Sequence, residues 1–442
     1  MNNTKKISVT NLRIGLCSLM VMVCLLIPKA VVAQDANELF TTFSPALVQI
    51  KSINLESGQK SSIGTGFFIS ASGDLVTNYH VISSYVQSPE QYKLEYVDDQ
   101  ERTSSVSVVA VDVINDLALL SSNANSDVFF KLSEQEPEKG SDLFALGNPH
   151  DLGMIVVPGT YNGVQLKSFY QRIHFTGSIN PGMSGGPTVN QAGNVVGINV
   201  ATAGNQIGFL VPVERLWLLV KKQKKLDNLV DQDESGVVET APDLIADIRD
   251  QLIENQTDLY QELLKGEWPS STLGGATVPK EMSKFMPCWG DSNQDQEKKQ
   301  YNQATSNCRL DESIYISDSL RTGFAQIGFN WIESDKLNNM QLSHLYTLNL
   351  NSRYGRNNAG SDDVTDFHCN ESIMNNAVGD VVKGMTCIRA YRKYEGLFDV
   401  RFHSLLLEKD NQTLIGKYFL QGVTQQTAHA FYAKFMENVQ WN

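Results

Sequence analysis

The sequence predicts a mostly β chain in which a long run of short strands is followed by a helical connection and a C-terminal α+β part held by disulfides. Three observations carry this expectation. Between residues 44 and 211, short apolar runs alternate with Gly, Asn, Asp and Ser, the pattern of many strands joined by tight turns. Two helical stripes follow, at 213–226 and 240–266. The four cysteines downstream of the N-terminal apolar run, Cys288, Cys308, Cys369 and Cys387, all lie beyond residue 270.

The 442-residue chain opens on Lys5, Lys6 and Arg13, then an apolar run over 14–27, then Val31, Val32 and Ala33 before Gln34. A charged start, an apolar middle and a small-residue end read as a secretory signal over 1–33. The run falls short of the roughly 20 residues needed to span a bilayer, and Pro28 interrupts it, which favours cleavage over anchoring. The expected compartment is therefore periplasmic or secreted. The leader takes Lys5, Lys6, Arg13 and Lys29 from 36 basic residues and none from 49 acidic ones. That deepens the formal net charge from −13 to about −17. Such a chain repels nucleic acid and anionic membrane surfaces. The roughly 409 residues that remain are too many for one core and imply two or three domains.

Strand-like runs fall at 46–50, 66–69, 74–77, 106–111, 117–120, 143–146, 195–200 and 207–211, which argues for an all-β sandwich or barrel. The stretch 213–226 is helical, with Leu216, Leu219 and Val220 on one side and four lysines near its negative end. Residues 227–239 are polar and acidic and read as a linker. Thr240 is the expected N-cap of the next helix, with Asp243 as its capping-box acid and Gly266 and Pro269 closing it. Ile245, Ile248, Leu252, Leu259 and Leu263 form a heptad-like stripe, expected to dock on a domain, with an intermolecular coiled-coil contact as the alternative.

Beyond residue 270, alternating runs at 324–331, 345–350, 398–407 and 414–421 suggest antiparallel strands, the last two joined by the turn Lys409-Asp410-Asn411-Gln412. A closing helix presents Ala428, Phe431, Phe435 and Val439 on one face. An even cysteine count in an exported chain suggests two disulfides. Near-neighbour pairing favours Cys288 with Cys308 and Cys369 with Cys387. No pair has the C-x-x-C spacing expected of zinc.

The chemistry-bearing signal is Asn180-Pro181-Gly182-Met183-Ser184-Gly185-Gly186-Pro187. A serine hydroxyl needs a base to take its proton and donors to hold the oxyanion that forms. Glycines beside Ser184 allow a tight turn that would offer the Gly182 and Ser184 N–H groups as those donors. Upstream, Thr77-Asn78-Tyr79-His80-Val81 puts a histidine at a strand end, and Asp116 directly precedes the apolar run from Leu117. Asp112 nearby is expected to serve a turn or salt bridge. His150, His174, His344, His368, His403 and His429 lack a comparable motif. The order His, Asp, Ser is the chymotrypsin order rather than those of subtilisin or the α/β-hydrolases.

These motifs occur together with Ser44-Pro45-Ala46-Leu47-Val48, Ala145-Leu146-Gly147-Asn148-Pro149, Gly197-Ile198-Asn199 and Ile207-Gly208-Phe209-Leu210-Val211-Pro212. In that order they resemble the HtrA/Deg-type serine proteases over roughly residues 44–212. The resemblance implies a chymotrypsin-like double β-barrel with His80, Asp116 and Ser184 as triad, acting on protein substrates in envelope quality control. It implies no metal or organic cofactor. The residue before the serine is Met183, where such proteins usually carry Asn, and no PDZ domain is recognisable downstream. The chymotrypsin arrangement also implies a specificity pocket built on Ser178, Asn199, Ile207, Gly208 and Phe209, suited to small or medium aliphatic side chains.

The expected organisation is a leader over 1–33, a protease domain over 34–226, a linker with an amphipathic helix over 227–269 and a C-terminal domain over 270–442. A homo-oligomer or partner contact through the 240–266 helix or the C-terminal domain is compatible with the pattern. A second reading, of another class, is a protein-binding or chaperone-like module whose protease fold is silent. Retention of all three triad residues and the flanking glycines argues against it.

Overall fold

The computed structural model describes residues 36–442 apart from 203–206, 231–242, 294–298, 311, 339, 343, 346–358 and 410. The expected leader, residues 231–239 of the expected polar linker and most of the expected strand at 345–350 lie outside the described residues, whereas 227–230, expected as linker, are helical. Helix α1 (Ala36–Phe43) leads into a seven-stranded antiparallel sheet made of β1 (Leu47–Asn54), β2 (Lys60–Phe68), β3 (Asp74–Thr77), β4 (Tyr92–Val97), β5 (Thr103–Ser105), β6 (Ser107–Asp112) and β7 (Leu117–Ser121). Its order is β5-β4-β1-β2-β3-β7-β6. Alternation decides which way the strands face: on β4, Leu94 and Tyr96 are buried while Lys93 and Glu95 point outward.

Six further strands, β8 (Asp142–Gly147), β9 (Ile155–Val164), β10 (Ile173–Phe175), β11 (Pro187–Val189), β12 (Val195–Thr202) and β13 (Gly208–Pro212), close into a barrel. Of the two barrels the motifs imply, only this one closes through hydrogen bonds. In the first sheet the outer strands β5 and β6 are consecutive segments of one stretch, joined at Val106. Each spends its ladder on its own neighbour, so the ring is completed by the covalent chain and the sheet is a half-barrel. The closed barrel has its own small core, which includes Leu143, Tyr161, Phe175, Met183 and Leu210.

Helix α2 (Tyr79–Gln87) follows β3, and helix α3 (Val213–Val230) follows the barrel and runs four residues further than its apolar stripe predicts. Helix α4 (Leu244–Leu264) is capped by Asp243, whose Oδ1 accepts from Ala246 N at 3.0 Å. Asp243 is therefore the N-cap rather than the third residue of a box opened by Thr240, which lies outside the described residues. Ile248, Leu252, Leu259 and Leu263 are buried, so the stripe docks within the chain. Gln251 fixes that docking by donating to Val111 O and accepting from Val113 N, at 2.8 and 2.9 Å.

The C-terminal part is a second antiparallel seven-stranded sheet, with strands β16 (Cys288–Ser292), β17 (Asn302–Arg309), β20 (Ala325–Glu333), β21 (His368–Asn375), β22 (Val381–Ala390), β23 (Phe398–Lys409) and β24 (Gln412–Val423). Their order is β16-β17-β20-β24-β23-β22-β21. Cys288–Cys308 and Cys369–Cys387 cross-link directly opposed residues of adjacent strands, the pairing that short loop closure favours. The β23–β24 hairpin turns at the expected Lys409–Gln412 pair. Helix α5 (Gln425–Glu437) lays Phe431 and Phe435 on this sheet, and a small sheet of β14 (Ser270–Leu273), β15 (Ala276–Pro279) and β25 (Gln440–Trp441) sits beside it. Strands β18 (Ile314–Tyr315) and β19 (Arg321–Thr322) form a separate hairpin. One apolar cluster runs from the first sheet through α4 into this part, so the two share a core. No described helix is long and apolar enough to cross a membrane.

Phe435 is fully buried, stacked on Phe329 and edge-on to Phe402 and Tyr418. Phe435→Ala should cost about 3–5 kcal/mol, seen as a lower urea midpoint at unchanged slope. A midpoint equal to that of the unaltered chain would refute this packing.

Candidate active site

Strand β3 ends at Thr77, and His80 lies in the first turn of α2 rather than at a strand end. The helix start turns its backbone toward Asp116. Asp112 builds the preceding turn, accepting from Asn115 N at 2.9 Å and Asn115 Nδ2 at 2.8 Å, which leaves it a structural role. The turn ends with Asp116 in the left-handed region, φ 62°, immediately before β7. Asn78 Nδ2 donates to Asp116 O at 2.7 Å and pins that strained residue.

The Asp116 carboxylate then meets His80 twice. Oδ1 accepts from the His80 backbone N–H at 2.9 Å, and Oδ2 lies 2.6 Å from Nδ1. An ionised carboxylate only accepts, so Nδ1 carries the proton of the neutral ring and Nε2 keeps its lone pair. The side chains are 29% and 14% exposed, respectively. Burial pulls the His80 value down, but the charge and hydrogen bond of Asp116 outweigh it and the net shift is upward from 6.5. Arg321 and Asp318 also act on His80, in opposite senses. Because the folded value is raised, its contribution to stability is full below about pH 6.5 and is lost as pH rises through the folded value.

Ser184 sits on a loop that is held from every side. Thr65 N donates to Ser184 O at 2.8 Å, and Thr65 Oγ1 donates to Gly182 O at 2.7 Å. Gly182 has φ 94°, and a Cβ there would lie 2.3 Å from Asn148 O, so only glycine fits. His150 N donates to Pro181 O at 2.8 Å. Met183 turns inward and fills the closed barrel. Among the described residues, the N–H groups of Gly182 and Ser184 donate to no protein acceptor, whereas those of Met183, Gly185 and Gly186 are all used. The half-buried Ser184 hydroxyl makes no hydrogen bond with described residues. The His80–Asp116 arm is formed and the Ser184–His80 arm is not, as is common before substrate tightens a site.

A cavity of about 1010 Å³ opens beside His80 and Asp116. Of the five expected pocket residues only Phe209 lines it. Asn199 is a correction: it is fully buried, donating to Leu146 O and Met183 O and accepting from Thr188 Oγ1, so it braces the loop instead of facing a ligand. Gly208 is packed against Gly177 O, Ser178 is exposed, and Ile207 faces a separate shallow groove. Sequence reasoning missed the positioning roles of Thr65 and Asn78, although Asn78 sits inside the motif that carries His80. It also missed the lining from residues 312–321.

Residues 64–198 match the family described as trypsin-like peptidase domain. That segment is a trypsin-like peptidase domain. A probable periplasmic serine endoprotease DegP-like from Marinomonas sp. (strain MWYL1) is 30% identical over 235 residues, covering 50% of this chain and 47% of the relative. A protein of the same description from Chlamydia trachomatis is 32% identical over 160 residues, 34% of this chain and 31% of the relative. The chain thus spans about half or less of these relatives. The crystal structure of the serine endoprotease from Yersinia pestis is 26% identical, with a TM-score of 0.38, covering 44% of this chain and 68% of that one. The resemblance to HtrA-type proteases lies in the peptidase domain.

Removing the negative charge beside the peptidase domain's His80 should lower its pKa. Imidazole NMR titration is expected to give a midpoint above 6.5 in the native chain and a lower one in Asp116→Asn. An unmoved midpoint would break the electrostatic pairing.

Proposed function

We propose that this chain is a serine endopeptidase that cleaves protein substrates through an acyl-enzyme. Ser184 attacks, His80 takes its proton and then returns it to the leaving amine, and Asp116 holds His80 in the required tautomer. The Gly182 and Ser184 N–H groups hold the oxyanion. The observation that carries the reading is the double contact of Asp116 with His80, on ring and backbone, together with two unspent N–H groups flanking Met183. Donors of this kind are worth most when they are fixed before charge develops.

The same reading assigns residues 1–33 to a cleaved leader, 34–226 to the protease domain, 227–269 to the linking segment and 270–442 to a C-terminal domain. The periplasmic names of the relatives support export, and envelope protein is the substrate class we favour. Self-association through the C-terminal domain belongs to this proposal as well.

Ser184→Ala should abolish peptide cleavage and labelling by a fluorophosphonate, with a loss of several powers of ten in turnover, while melting stays unchanged. A variant that keeps ordinary turnover would sink the triad.

Activation by a newly cut N-terminus is not expected, because Met183 is buried and apolar and offers no carboxylate to a terminal ammonium. The nucleophile loop is ordered instead by the segment after β8. Asp151 is held by Lys60 and Gln49 at 2.6 Å each, and His150 N holds Pro181 O. The chain expressed from Gln34 with a blocked N-terminus should therefore cleave peptides without a change in intact mass. Activity that appears only after a cut near residues 40–60 would refute this.

A further inference from the structure

We infer that the β18–β19 hairpin, through Tyr315, forms a wall of the cleft beside His80 and selects extended peptides that carry a bulky apolar side chain near, but not at, the bond to be cut. The inference rests on reading the cleft as a peptidase active site. Three sets of observations support it.

The first is position. The Tyr315 ring stands edge-on to the His80 imidazole with centroids 6.0 Å apart, and its hydroxyl is 3.3 Å from Ser83 Oγ. Two residues of extended chain span about 6–7 Å. A peptide whose chain runs from Ser184 past the His80 ring would bring a neighbouring side chain against Tyr315. The cavity is lined jointly by the peptidase domain, through Val113, Val200 and Phe209, and by the C-terminal part, through Phe285, Ile314 and Tyr315.

The second is chemistry. The charged groups on the hairpin side are engaged with Tyr315 itself or with the peptidase domain. Asp318 accepts from Tyr315 OH at 2.7 Å, and Arg321 lies over the Tyr315 ring at 5.2 Å. Glu312 accepts from Ser168 Oγ and from Tyr170 N. Beside these engaged groups the wall offers the Tyr315 ring, Ile314 and Phe285, surface that rewards apolar burial and gives a polar side chain little in exchange for its water.

The third is fixity. Tyr79, the residue before His80, is fully buried and donates its hydroxyl to Ile316 O at 2.9 Å. Gln87 Nε2 bridges Tyr79 OH and Tyr394 OH at 3.0 and 2.7 Å, and Lys393 Nζ donates to Gln87 O at 2.7 Å. The buried Tyr79–Ile316 bond ties the hairpin to the helix that bears the histidine, and Gln87 ties that helix to the segment at 393–394. The hairpin is a wall and not a lid, because opening it would strand the Ile316 carbonyl and the Tyr79 hydroxyl.

The test uses the full chain with Ser184→Ala, so that binding is read without cleavage. Fluorescein-labelled decapeptides carry one Leu or Phe, or a Ser at the same place, moved position by position along a Gly/Ser/Val background, and anisotropy gives Kd. The protein should prefer the apolar peptide at one position at least tenfold. Adding Tyr315→Ala should erase that preference, and Tyr315→Phe should keep it. Absence of any preference, or a Tyr315→Ala change that raises or lowers all affinities by the same factor, overturns the inference. Cleavage is read separately with Ser184 restored. Peptides that bind with the expected preference and yet stay intact would refute the peptidase reading while leaving the wall in place.

Discussion

Everything at the active site hangs on Thr65. It is fully buried and all of its polar groups are spent, three of its bonds crossing the junction of the two β units. Its N–H holds Ser184 O, its hydroxyl donates to Gly182 O and accepts from Asn148 N, and its carbonyl accepts from Thr77 Oγ1. The half-barrel that carries His80 and Asp116 is thereby fixed to the barrel that carries Ser184. Valine at this position would keep the shape and leave Gly182 O and Asn148 N without partners, the more expensive kind of loss in a buried network. Flanking Gly64 and Gly66 fit the same crowding, since a Cβ on Gly64 would sit 2.4 Å from Val81 and one on Gly66 2.8 Å from Ile50.

Strain is stored where the chemistry needs shape. Asp116, His150 and Asp151 all have positive φ, an unfavourable backbone state for side chains of this size. Each is clamped: Asp116 by Asn78 and His80, His150 by Pro181, Asp151 by Lys60 and Gln49. The bond to Lys60 and then that to Gln49 hold the Asp151 carboxyl below its ordinary 3.8. A depressed acid stabilises the fold above its ordinary pKa and loses that contribution as pH falls through the folded value. Because Asp151 is well exposed, solvent discounts the effect. It orders the segment after β8, whose His150 N–H holds Pro181 O beside the Ser184 loop.

Much of this was legible in residue order. Short apolar runs placed β3, β7, β8 and β12 almost to the residue, because a continuous apolar segment of about four to eight residues bounded by turn residues marks a strand buried on both faces. The serine loop and the turn before Asp116 were legible because glycine and short polar residues mark backbone that other residues avoid. What escaped was set by contacts distant in the chain. The Asn199 side chain reads like a pocket residue until its three partners, on β8, the serine loop and β11, are in view. The helical start at Tyr79 looked like strand because its apolar residues continue those of β3. The β18–β19 strands are two residues each, too short for any period. Their neighbour Tyr79 lies 237 positions away from Ile316.

The C-terminal part is built so that its own buried charge steadies that hairpin. Arg389 donates twice to Asp399 Oδ2, at 2.8 and 2.6 Å, and Asp399 Oδ1 accepts from Tyr391 OH at 2.8 Å. Burial pushes the Asp399 carboxyl up against the opposing pull of Arg389. A buried pair of this kind gives little net stability relative to apolar packing, yet breaking it is costly because one charge is left alone. Tyr391 OH also lies 2.8 Å from Thr322 Oγ1, on the second strand of the hairpin, where Gly422 leaves room for it. The chain of contacts therefore runs from Arg389 through Asp399, Tyr391 and Thr322 to the strand opposite Tyr315, and from Ile316 to Tyr79 beside His80. Directional polar bonds at both ends fix the register of a hairpin that apolar burial alone would let slide. That register is what sets the distance between an aromatic wall and the imidazole.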